Sequence, residues 1–163
     1  MPIDFFQNTC KTESEKNEFG LCDDIPNQKA YIDEDNSGKW IGIVKNPDSK
    51  KILFYGIDNC ANIRKPNGNL ESTCDGVLKE SSYLVFVELK EATRKGWFGE
   101  GREQITNTIN IFKANYDVAD FDSIEAYVCN NLKPRSNPGR ATSIQMFKDD
   151  TGYILYDKNE IEI

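Results

Sequence analysis

Apolar residues along this chain come in short bursts whose spacing shifts between two and about 3.6 residues, a pattern that predicts strands interleaved with few helices. Residues 83–89 are apolar, aromatic or β-branched almost throughout, as in a strand covered on both faces. The shorter run 75–78 precedes it across a polar turn at 79–82, so the two predict a hairpin. Ahead of them, apolar segments at 31–32, 40–44 and 52–57 predict three more strands. The Pro- and Asn-bearing stretch 45–50 predicts a hairpin turn between the last two. Residues 12–19 predict a short helix.

Beyond the hairpin, Ile105, Ile109, Phe112 and Tyr116 recur at intervals of 4, 3 and 4, which predicts a helix over 103–116 with one apolar face. Ile124, Ala126 and Val128 then alternate with Glu125 and Tyr127, predicting a strand over 122–129. Strand, helix, strand in that order implies a right-handed parallel crossover. Ile144 and Phe147 place a second helix at 141–148, stopped by Asp149, Asp150, Thr151 and Gly152, and 153–156 and 160–163 close the chain as short strands. The expected architecture is α/β, with a mixed central β-sheet flanked by helices. Residues 1–73 form an N-terminal helix and β extension, 74–132 the core, and 133–163 a C-terminal helix with short strands.

Composition narrows the chemistry. A chain of 163 residues suits one domain. Its 20 basic and 27 acidic residues leave a net charge of −7, so any contact with nucleic acid must be local. There is no histidine, which excludes histidine-bearing zinc sites and serine or cysteine catalysis with a histidine base. The five cysteines have no C-x-x-C spacing, and an odd number of them suits free thiols in a reducing compartment. Residues 1–20 lack an apolar core and no apolar run is long enough to span a membrane, so the expected location is cytoplasmic.

What remains open is carboxylate and lysine chemistry, and the 74–90 hairpin supplies it. Glu88 and Lys90 lie two apart on one strand and therefore share a face, with Leu89 on the other. Pairing across the turn brings Asp75 to the same end. Asp75 followed after 12 residues by Glu88-x-Lys90 resembles the active-site motif of the PD-(D/E)xK nuclease superfamily, whose core is the restriction-endonuclease-like fold. The resemblance covers residues 74–132. It implies a nuclease hydrolysing phosphodiester bonds in DNA, with Mg²⁺, or Mn²⁺ in its place, held by Asp75 and Glu88 and assisted by the Leu89 carbonyl. Lys90 would handle the attacking water. Many of those families carry a glutamine near the start of the following helix, where Gln104 stands, and some add a tyrosine four residues on, where this chain has Thr108.

Further residues have two readings each. Glu15 or Glu18 would be an additional acid of the site or part of a solvated face, and Asp58 a metal ligand or a turn former. The glycine-punctuated loop 91–102 carries Arg94, Lys95, Trp97, Phe98 and Arg102, suited to gripping phosphates and stacking on bases, or to folding its aromatics onto the core. Arg135 and Arg140 in the basic, proline-bearing stretch 130–140 are further candidates for substrate phosphate, and two copies could act together as a homodimer or within a larger complex. Two rival functions fit the same residues: a non-catalytic nuclease-fold binding module, and an acidic interaction or inhibitor domain that offers its negative charge to a basic partner.

Overall fold

The computed structural model of the chain describes residues 3–132 and 139–163. It is a mixed α/β structure of ten strands and two helices among those residues. Six strands form the larger sheet: β1 (Lys11–Ser14), β5 (Ile52–Gly56), β6 (Gly76–Glu80), β7 (Tyr83–Lys90), β8 (Ser123–Asn130) and β9 (Leu155–Tyr156), side by side in that order. The pairs from β1 to β7 are antiparallel, whereas β7, β8 and β9 run parallel. The smaller sheet has the order β10 (Glu160–Glu162), β4 (Gly42–Lys45), β2 (Glu18–Cys22) and β3 (Tyr31–Asp33).

Side-chain alternation on β7 shows how the layers stack. Leu84 and Phe86 point to a core shared with α1 (Trp97–Asn115) and α2 (Arg140–Thr151), where Ile105, Ile109, Phe112 and Phe147 are buried. Val85, Val87 and Leu89 point the other way, into a second core closed by Phe19, Leu21, Val44 and Ile161 of the smaller sheet. Both helices therefore lie on one face of the larger sheet and the smaller sheet covers the other. The uninterrupted apolar run of β7 is satisfied by a helix on one side and a sheet on the other.

Three expected elements differ. Residues 12–19 are not helical: they are the end of β1, a reversal, and the start of β2, whose Phe19 and Leu21 alternate into the space between the sheets. Likewise β4 and β5 do not pair as a hairpin, because the chain passes from one sheet to the other between them. Asn46, fully buried, holds this crossing: its amide nitrogen donates to the carbonyls of Lys16 and Lys50 at 3.1 and 2.8 Å, and its oxygen accepts from the Lys50 N–H. Finally, α1 begins at Trp97, six residues before the periodic stripe suggested. Trp97, Phe98 and Gly101 extend that stripe toward the N-terminus and are buried. Glycine at 101 permits a close approach, since a Cβ there would sit a tight 3.0 Å from Val128 Cγ1 and 3.4 Å from Glu88 Cγ.

The cysteines also depart from expectation. Cys10 and Cys60, 50 residues apart, form a disulfide, because pairing of β1 with β5 brings the segments before one and after the other together. Cys22, Cys74 and Cys129 are free and buried, and burial pushes all three thiols up, Cys22 to about 12. No helix of the described residues is long and apolar enough to cross a membrane. Closing a loop of this length restricts the unfolded chain by up to about 4 kcal/mol. Reductant should therefore lower the thermal midpoint of the native protein and leave a Cys10→Ser, Cys60→Ser double variant unaffected; equal sensitivity in both would show that the bridge contributes nothing.

Candidate active site

The site grows out of the β6–β7 register. Gly76 pairs with Val87, so Asp75 stands beside Glu88 where β7 leaves the sheet. Two hydrogen bonds lock them reciprocally: the Leu89 N–H donates to Asp75 Oδ2 at 2.7 Å, and the Asp75 N–H donates to Glu88 Oε1 at 3.1 Å. Glu88 and Lys90 lie on the helix-facing side of β7, and Gly101 lets α1 settle over Glu88. The carboxyls are nearly dry, with Asp75 7% and Glu88 3% exposed.

Lys90 is the cation that meets them. Its Nζ lies 3.1 Å from Glu88 Oε2 and donates to Gln104 Oε1 at 2.9 Å. Gln104, one turn beyond Gly101 on α1, donates in turn to the Thr73 carbonyl at 3.4 Å. Thus the four residues expected from the sequence, Asp75, Glu88, Lys90 and Gln104, come together in one connected cluster.

Burial sets the electrostatics. Desolvation raises the Asp75 carboxyl well above the usual range, and the neighbouring Glu88 and then Asp23 push it further. Glu88 is raised by the same desolvation, while Lys90 and hydrogen bonding to Asp75 work against the rise. The two carboxyls therefore titrate as a pair and release their protons less readily than isolated carboxyls do.

Asp23, just past β2, is the residue the sequence reading missed. Burial raises its carboxyl, proximity to Asp75 works against the rise, and Asp58 adds repulsion. The acid pair at 23 and 24 was visible, yet only the stacking of two sheets brings the end of β2 to Asp75. Asp58, raised chiefly by burial, sits in the turn after β5, where its N–H donates to the Cys74 carbonyl at 3.3 Å. Glu18 is at the opposite end of β2 from Asp23, paired with Lys45 at 3.3 Å, and Glu15 is in the exposed reversal before β2.

Beside Lys90 opens a cavity of about 530 Å³ lined by Ser72, Lys90, Glu100, Glu103, Gln104 and Asn107. Most of the cations proposed for substrate are already engaged. Arg94 makes a 2.6 Å ion pair with Glu100, and Arg140 pairs with Asp157 and lies over the Phe98 ring. Arg102 approaches Glu103 at 3.5 Å, Lys95 is exposed, and Arg135 falls outside the described residues. Trp97 and Phe98, 4% and 0% exposed, pack into the core and present no face for stacking on bases. Among the described residues, no group of three or more His, Cys, Asp or Glu forms a ready metal cage. Comparison with protein-family models, curated proteins and solved structures finds no match to the chain.

A raised carboxyl stabilises the fold fully below the unfolded value of about 4 and loses that contribution as pH climbs through the folded value. The protein should therefore melt at progressively lower temperature between about pH 5 and about pH 8. Asp75→Asn keeps an oxygen for the Leu89 N–H and removes the repulsion, so it should flatten that slope. Thermal melts across the pH range decide it: an unchanged slope in the variant would place the pH dependence elsewhere.

Proposed function

We propose that this chain is a divalent-cation-dependent nuclease of the PD-(D/E)xK type, built on a restriction-endonuclease-like core and hydrolysing phosphodiester bonds in DNA. The observation that carries the reading is the buried Asp75–Glu88 carboxyl pair, held in register at the end of β7 with Lys90 against it. The order β6, β7, α1, parallel β8 agrees with the core that the sequence resemblance implies.

The donor set suits Mg²⁺ or Mn²⁺. These are hard cations that take oxygen ligands, and Mg²⁺ is usually held by one or two carboxylates together with substrate phosphate rather than by an all-protein cage. Asp75 and Glu88 would hold the ion, the Leu89 carbonyl would assist, and binding would favour the ionised carboxylates and relieve the repulsion. When bound, the ion supplies Lewis acidity toward the scissile phosphate. Lys90 orients the attacking water and offsets negative charge on the phosphate as the water oxygen bonds to phosphorus and the bond to the leaving oxygen breaks. Gln104 helps to hold the Lys90 ammonium over Glu88, with Glu100 Oε2 also in reach at 4.0 Å.

The glutamates at the cavity rim favour a second reading, in which the same fold is a binding module whose acidic face meets a cationic partner. The compartment is a further part of the proposal. A cytoplasmic protein would expose five thiols to an alkylating agent after denaturation, whereas one kept oxidised would expose three. Alkylation of the protein as isolated from its native cells reads the number directly.

Calorimetry with Mn²⁺ on the wild type and on Glu88→Gln, alongside plasmid and single-stranded DNA, tests the function. The wild type should bind the ion and cleave DNA, and Glu88→Gln should do neither. Lys90→Ala should retain the ion and lose roughly 10²–10⁴-fold in cleavage rate. A wild type that binds no divalent ion overturns the nuclease and leaves the binding module.

A further inference from the structure

Between the ordinary end of β5 and the acid pair runs a segment, 72–74, that belongs to no strand, yet it must place Asp75 accurately. Helix α1 holds it at three successive residues. Asn107 Nδ2 donates to the Ser72 carbonyl at 2.6 Å, Gln104 Nε2 to the Thr73 carbonyl at 3.4 Å, and the Cys74 N–H donates to Thr108 Oγ1 at 2.8 Å. Of the three, the last contact is buried. Thr108 and Cys74 are both 0% exposed, and the Thr108 hydroxyl spends its own proton on the Gln104 carbonyl at 2.7 Å. The hydroxyl is thereby oriented with its lone pair toward Cys74, and a buried N–H deprived of that acceptor would have no water to turn to.

We propose that Thr108 is a positioning residue of the candidate site: by fixing the Cys74 amide, it sets Asp75 against Glu88 and so tunes affinity for the divalent cation. The inference rests on the metal-nuclease reading above. Its physical content is that one helix face serves both halves of the cluster. Gln104 steadies Lys90, and Thr108, one turn along, steadies the backbone residue next to Asp75. The hydroxyl alone carries the hydrogen bonds.

The test compares Thr108→Val, which keeps the shape and removes the hydroxyl, with Thr108→Ser, which keeps the hydroxyl. In the metal-free protein, hydrogen exchange at the Cys74 amide should be faster in the valine variant and near wild type in the serine variant. By calorimetry, Mn²⁺ should bind the valine variant about 10-fold or more weakly, the scale of groups that orient metal ligands, and the serine variant within about twofold of wild type. A purely structural role would lower the thermal midpoint of the valine variant and leave the Mn²⁺ affinity of its folded form unchanged, which overturns the proposal. If the valine variant does not fold, Thr108→Ala, which also lacks the hydroxyl, decides in its place: Mn²⁺ affinity weakened about 10-fold relative to the serine variant supports the proposal, and equal affinity overturns it. A wild type without Mn²⁺ binding overturns the nuclease reading itself, and this inference with it, a result distinct from metal binding that is indifferent to position 108.

Discussion

Two carboxyl groups pressed together out of water are the constraint around which this structure is arranged. Asp75 and Glu88 each lose hydration on folding, and an uncompensated buried charge costs several kcal/mol. The fold answers with main-chain N–H donors from Asp75 and Leu89 and with one ammonium, that of Lys90. These offset part of the cost, and the raised carboxyls show that part remains. A region that retains such a cost in its resting form has something to gain from a cation, and that connects the energetics to the proposed chemistry.

Rigidity at this point comes from the layers on either side. With a helix pair on one face and a second sheet on the other, β7 has no solvated side, and a shift of its register by one residue would turn Glu88 and Lys90 away from α1. Gly101 brings the helix close enough for Gln104 to reach Lys90, and Asn46 secures the passages of the chain between the sheets.

The legible and illegible parts of the chain separate by the range of the interactions involved. Strand β7, the turn before it and the stripe of α1 were evident from spacing, because alternation and the helical period are local consequences of backbone geometry. The first turn of α1 was hidden by its glycines, which locally argue for a loop; of these, Gly101 packs closely against Val128 and Glu88. Residues 12–19 and the 40–57 pair were misread for a related reason. Strand partners are chosen across the fold, and a polar turn between two strands is equally compatible with a hairpin and with a passage to another sheet.

By itself, then, the sequence determined the alternation that puts Glu88 and Lys90 on one face, the hairpin that returns Asp75 to them, and the helix that carries Gln104, since each follows from the period of a single element or a short turn. Tertiary structure alone decided that Asp23 joins Asp75, that Cys10 meets Cys60, that Thr108 grips Cys74 and that Trp97 and Phe98 face inward. Those are contacts between segments tens of residues apart. They exist because burying the apolar faces of two sheets and two helices admits few mutual arrangements, and no local pattern records which one is adopted.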